Sequence, residues 1–248
     1  MLRVLRAERQ KMKHSFAGML PVFAPIFASV LAYLLTSGLS GRVSSYLAVS
    51  VWNWWYTMLL PGVIAIVSYF NMAKEKKTGF YNLKSLAVPM QSLVFGKIAY
   101  ISLMILLANG VLVGMTALFG LFADMIIPLK SVLLGALVLT VTVLWQVPLC
   151  LLFSVRFGMV SGMLLSMVLN IVFSVVLSAS RFWWCLPYSI ATRLMCPILG
   201  IQPNNLLVPE GSPLWNTNVI LPGIALSLAW FVVLSGILWT WMEKMEAK

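Results

Sequence analysis

Acidic side chains are scarce in this sequence. Six Asp and Glu stand against 17 Lys and Arg, and charged residues make up 9% of its 248 positions. An ordinary soluble domain carries about 25%. None of the six carboxylates, Glu8, Glu75, Asp124, Glu210, Glu243 and Glu246, falls inside an expected membrane span. That argues against a transporter coupled to protons or sodium, which relies on an ionisable group or a broken helix at membrane depth. The only histidine is His14, in a basic N-terminal stretch, and there is no HExxH. An intramembrane metalloprotease or a Ser–His dyad therefore lacks its essential side chain. No GxxxxGK[ST] loop is present, so the chain does not hydrolyse ATP by itself and is not expected to be an enzyme. Cys150, Cys185 and Cys196 form no CxxC, which leaves no metal site and no disulfide framework; a Cys185–Cys196 bridge would need an extracellular setting.

Apolar residues are what the chain has in abundance: 61% of positions, with a mean hydropathy of +0.98. A spanning helix needs about 20 apolar residues. The pattern predicts an all-α integral membrane protein with six spans, near Gly18–Leu35, Thr57–Ala73, Val94–Phe122, Ser131–Phe153, Gly158–Ala179 and Val219–Trp239. The apolar run after the basic start is long enough to remain as an anchor rather than a cleaved signal. The net charge of +11 does not indicate nucleic acid, because the cations sit at span ends rather than along one face. Of the 17 Lys and Arg, all but Arg42, Lys130, Arg181 and Arg193 fall on the side that both termini share. The positive-inside rule places that side, and both termini, in the cytoplasm.

Residues 1–16 read as a cytoplasmic amphipathic helix: Leu2, Leu5, Met12 and Phe16 share one face, and Arg3, Arg6, Glu8, Arg9, Lys11 and Lys13 fill the others. Residues 74–93 form an inner loop, too polar to cross and too apolar to be merely solvated. Glu75, Lys76, Lys77, Leu83, Lys84, Leu86 and Pro89 are its candidates for docking a partner, together with Glu8. Gly110-x-x-x-Gly114 is a weak helix-packing signal. Gly158, Gly162, Ser166, Asn170, Ser174 and Ser178 recur every four residues along the fifth span. Such a seam serves either close helix packing or a polar substrate path. Trp52, Trp54, Trp55 and Tyr56 read as an interfacial aromatic belt, with direct ligand contact as the rival reading. Residues 180–216 carry Trp183, Trp184, Tyr188 and Arg193, and their prolines prevent one continuous span. They are expected to form an extracellular cap, flat or re-entrant, with its break at Pro197.

Four segments carry a family resemblance: Ala7 to Lys13; Trp52-Asn53-Trp54-Trp55-Tyr56 with Leu59-Leu60-Pro61-Gly62; Trp145-Gln146-Val147-Pro148-Leu149-Cys150 with Arg156-Phe157-Gly158; and Trp183-Trp184 through Pro187-Tyr188, Arg193 to Pro197 and Pro209 to Leu214. The run Lys74 to Gly79, followed by Leu83, Pro89 and Lys97, adds a looser pattern. With these, the chain resembles ABC-2-type transporter permeases over nearly its whole length, as a single transmembrane domain 1–248. More narrowly it resembles lantibiotic-immunity permease subunits of the MutE/EpiE type. The resemblance implies a hetero-oligomeric exporter in the bacterial cytoplasmic membrane. A separate ABC ATPase dimer would bind ATP and magnesium, with no cofactor in this chain. A second related permease would complete the unit, membrane lipids would surround it, and lantibiotic peptides would be its substrate. The resemblance also implies that Glu8 and the 74–93 loop receive the ATPase's motion, and that Trp52, Trp54, Trp55, Tyr56, Trp183, Trp184, Tyr188 and Arg193 are outer candidates to face the peptide. The alternatives are a permease for another membrane-active compound, such as a bacitracin-like peptide or a lipid, and a peptide sensor or shield that transports nothing.

Overall fold

The computed structural model describes residues 2–13, 15–37, 46–77, 88–122 and 126–246, and among them all regular structure is helical apart from one antiparallel bridge between Ile201 and Leu207. Helix α1 (Leu2–Met12) stops short of α2 (Phe16–Thr36), where Ser15 caps the new helix by accepting the Gly18 amide on its hydroxyl at 3.2 Å. Then come α3 (Leu47–Lys77) and α4 (Met90–Gly120). Helices α5 (Leu129–Thr142) and α6 (Gln146–Arg156) form a pair bent by 48°. They are followed by α7 (Met159–Leu177), α8 (Pro187–Leu199) and α9 (Ile220–Glu246). Among the described residues five helices are long and apolar enough to cross a membrane, or six if the bent pair counts as one span. Helices suit that setting because each satisfies its own backbone polar groups where water is absent.

Helix α3 fixes the two ends of the bundle. Near its start, Asn53 Nδ2 donates to Gln202 O at 2.9 Å, and Asn205 Nδ2 donates to Ser50 Oγ at 3.3 Å. Near its finish, Asn71 and Glu75 meet α1. Between these ends α3 packs on α6 and α7, while α2 packs on α4.

Several sequence expectations change. The second span does not begin at Thr57; its helix starts at Leu47, and Trp52 and Trp55 lie inside the bundle with no exposure. The fourth span is not continuous. It breaks at residues 143–145, which puts Pro148 in the first turn of α6, where a missing amide leaves no bond unmade. Segment 180–216 contains α8, a 13-residue helix buried among α5, α7 and α9 rather than a flat lid. Pro187 starts α8 at a position that needs no amide. Pro197 does not break it, and the helix ends at Gly200, whose φ of 71° is the left-handed conformation that glycine adopts freely. Cys185 is exposed, Cys196 is buried inside α8, and all three cysteines are free thiols. Nothing described lies within 4 Å of a Cβ placed on Gly110 or Gly114, so that motif packs no described helix of this chain.

Close approach occurs at other glycines. A Cβ on Gly223 of α9 would sit 2.5 Å from Leu194 Cδ1 and 3.3 Å from Ile190 Cγ2, and both neighbours are fully buried in α8. Gly223→Val is therefore expected to destabilise the protein by about 1–3 kcal/mol through overpacking. Thermal unfolding in detergent checks this against Gly236→Val, where a Cβ meets nothing and little change is expected.

Candidate functional site

Sequence places a single acid, Glu8, on α1, and helical geometry turns it toward the bundle. Its side chain is 1% exposed. Glu8 Oε1 accepts from Lys11 Nζ at 2.9 Å and from Lys97 Nζ at 3.2 Å, and Oε2 accepts from Asn71 Nδ2 at 2.9 Å. Lys97, also 1% exposed, completes its valence with Asn71 Oδ1 at 3.1 Å and Glu75 Oε1 at 3.3 Å, so all three ammonium donors have acceptors. Lys11 Nζ also donates to Glu75 Oε1 at 2.5 Å. Two carboxylates and two ammoniums thus balance in a pocket built from α1, α3 and α4. Gly96 makes the approach possible, since a side chain there would collide with Val4 of α1. Partial burial of Lys11 disfavours its charge. Its hydrogen bond to Glu75 and the nearby Glu8 outweigh that and hold its pKa above the ordinary lysine value. The stabilisation is complete below the ordinary value and is lost as pH rises through the raised one.

Of the residues expected to couple, Glu8 and Glu75 meet in this pocket, whereas Lys76 and Lys77 point outward. Lys76 Nζ donates to Val155 O at 2.7 Å, joining the ends of α3 and α6. Pro89 is the N-cap of α4, and Leu83, Lys84 and Leu86 lie outside the described residues, as does His14. Asn71 was not legible as a member of the pocket. Lys97 had a signal, a lysine just inside an expected span, where an ionisable group marks a partner by default.

A second polar layer crosses the middle of the bundle. Residues Trp55–Leu59 form a π turn in α3, with the Leu60 amide bonded to Trp55 O. Pro61 has no amide. It would otherwise serve Thr57 O in α register or Tyr56 O in π register. Asn170 of α7 supplies both: its Nδ2 donates to Thr57 O at 2.7 Å and to Tyr56 O at 3.1 Å. Gln146 Nε2 in turn donates to Asn170 Oδ1 at 3.2 Å. Gly162, Ser166, Ser174 and Ser178 share the buried face of α7 with Asn170, and Gly158 is exposed at its N-cap. Thr192 Oγ1 of α8 donates to Ser174 Oγ at 2.9 Å.

The expected outer aromatic group is largely internal, which corrects its peptide-facing assignment. Trp52 Nε1 donates to Thr116 Oγ1 at 3.1 Å, and Trp55 Nε1 donates to Asn109 Oδ1 at 2.8 Å. Tyr56 is buried and accepts from Asn53 Nδ2 at 3.1 Å on its hydroxyl; Trp54 is half-buried. The longer α3 carries these rings into the bundle, and the polar tips of Trp52, Trp55 and Tyr56 each find a partner there. Tyr188 is half-buried between Trp145 and Phe173, with centroids 4.7 and 5.7 Å away. Arg193 is buried and donates to Leu214 O at 3.0 Å and Pro213 O at 3.1 Å, holding the cap loop. Trp183 is half-buried against the core, so Trp184, 53% exposed, is the one of these candidates that faces outward.

A family model for ABC-2 family transporter proteins matches residues 4–202 of this chain. The chain belongs to the ABC-2 transporter family. No curated protein and no solved structure matches it. As an ABC-2 protein the chain is a multi-pass membrane component of a transporter, from a family whose membrane domains are not themselves catalytic and generally work with an ABC ATPase. The match takes in the α1 pocket, the π turn, the α7 seam and α8. The loop held by Arg193 and all of α9 lie beyond it.

Proposed function

We propose that this ABC-2 protein is a permease subunit of an ATP-driven exporter that removes lantibiotic-type antimicrobial peptides from the bacterial cytoplasmic membrane. It sits there with both termini inside, beside a related permease, and an ATPase dimer binds ATP and magnesium. The observation that carries the transport reading is the ion-paired pocket. It bolts a surface helix to α3 and α4 at the end where the charge distribution puts the cytoplasm. A push on α1 or on the 74–93 loop reaches two spans at once. Along α3 it then meets the π turn, an irregular point between the pocket and the cap. The peptide class rests on the cap segments Trp183 to Pro197 and Pro209 to Leu214, whose resemblance is the narrowest in the chain. A cationic amphipathic peptide already lies in the outer leaflet, so export needs no deep inner cavity. Trp184, Phe182 and Trp215, all exposed in the cap segment, are aromatic groups available to engage it.

Resistance to a lantibiotic, measured in cells producing the whole complex, tests this reading. Phe182→Ala with Trp184→Ala is expected to lower resistance several-fold at unchanged membrane levels; undiminished resistance limits both rings to anchoring. A catalytically inactive ATPase is expected to abolish resistance, whereas a sensor or shield would keep it. Equal protection against bacitracin-like peptides would favour the broader substrate class.

A further inference from the structure

The outer face of α1 is cationic with no carboxylate on it. Arg3, Arg6, Arg9 and Lys13 are exposed, while Glu8 is turned inward and engaged by Lys97, Lys11 and Asn71. The same division holds at the end of α3. Glu75 faces the pocket, and Lys76 and Lys77 beside it face out. Lys76 reaches the carbonyl of Val155, next to the exposed Arg156 of α6. Three elements therefore bring cations to one rim, and the acids on those elements, Glu8 and Glu75, are committed to the interior.

The height of this rim is set by α2. That helix begins at Phe16, three residues beyond Lys13, and Phe16, Met19 and Phe23 are exposed from its first turns. Three residues of chain reach at most about 10 Å, so Lys13, at the end of α1, lies within that distance of the level where apolar exposure starts. That is the thickness of a phospholipid headgroup layer on one side of the hydrocarbon core. Arg and Lys side chains reach from such a depth to phosphate while their stems cover apolar surface.

We propose that this rim is a binding surface for anionic phospholipid headgroups, with Arg3, Arg6, Arg9 and Lys13 as its main cations and Lys76 and Arg156 at its margin. Charge complementarity, with the exposed apolar start of α2 directly beside the rim, selects lipid over an acidic protein face. The inference rests on the membrane reading and is independent of the exported cargo. Bound lipid holds α1 flat against the pocket from the outside, as Glu8 holds it from within.

The test is native mass spectrometry of the full-length protein released from equimolar phosphatidylcholine and phosphatidylglycerol. The wild-type protein is expected to retain phosphatidylglycerol in several-fold excess, each rim cation contributing up to about fivefold at low salt, and the excess should shrink in high salt. The variant Arg3→Gln/Arg6→Gln/Arg9→Gln/Lys13→Gln is expected to retain the two lipids about equally. Lys130→Gln/Arg181→Gln, altered at the far end, should keep the wild-type preference. If the fourfold variant does not assemble, Arg6→Gln and Lys13→Gln singly should each lower the preference. The proposal is overturned if the α1 variants keep it or the far-end variant loses it. A variant that keeps its lipid but no longer co-purifies with the ATPase would also overturn it, by assigning the rim to protein docking.

Discussion

Lys97→Met is expected to destabilise the folded protein by about 3–5 kcal/mol, the usual effect of leaving a buried charge without its partner. Methionine fills most of the lysine's volume, so packing changes little and the loss is electrostatic. Glu8 and Glu75 would remain buried and share the half-buried Lys11. A second change separates this account from a generic core defect. Glu8→Gln in the Lys97→Met background returns the pocket to one carboxylate and one ammonium, and its amide still meets Asn71. The double variant is expected to recover at least half of the loss in thermal or chemical unfolding. If it is no more stable than Lys97→Met, the pocket is not acting as a charge-balanced unit. Lys97→Arg is expected to be poorly tolerated, because a planar fork does not reproduce three donors converging on Glu8, Asn71 and Glu75.

The second large effect is at Asn170. Asn170→Leu strips the side-chain donor from the carbonyls of Tyr56 and Thr57 and is expected to cost about 2–3 kcal/mol. The defect arises because Pro61 has no amide, so Pro61→Ala should suppress it. With an alanine amide at that position, α3 can close its own bond to Thr57 O, and Asn170→Leu is expected to cost about half as much or less in that background. A double-mutant cycle on unfolding free energies measures the coupling, expected near ~1 kcal/mol. Additive losses would show that Asn170 stabilises something other than the proline-broken backbone.

These two sites show what was readable in the sequence. The spans were legible because apolar runs of about 20 residues leave few alternatives, and the four-residue recurrence that starts at Gly158 followed the buried face of α7 from Gly162 to Ser178, Gly158 itself being exposed. The proline at 61 and the asparagine at 170 were each visible, but their pairing was not. Nothing local states that two backbone carbonyls on one helix will face a side-chain amide so distant along the chain. Burial of Trp52, Trp55 and Tyr56 was hidden for a related reason. A Trp-rich stretch before an apolar run has the composition of an interfacial belt, and only the partners Thr116 and Asn109 on α4 show that it lies inside. Proline also misled in one direction. Pro197 lies in the last turns of α8, where the helix was about to end at Gly200, so losing one bond there did not stop it. At the charged pocket, Glu8 and Glu75 were separately conspicuous, as was Lys97. Their convergence needed α1 to fold back over Gly96, a geometry that spacing along the chain does not encode.

The central claim is that this ABC-2 protein uses motion entering through α1 and its pocket to move a membrane-bound peptide outward. Release of a fluorescent lantibiotic from preloaded, energised cells into the medium tests it most directly. Cells with the intact complex should release peptide quickly. Cells with an inactive ATPase, or with Glu8→Gln at matched membrane levels, should hold it. Survival of the inactive-ATPase cells with the peptide still bound would contradict the account, because protection would then require no transport.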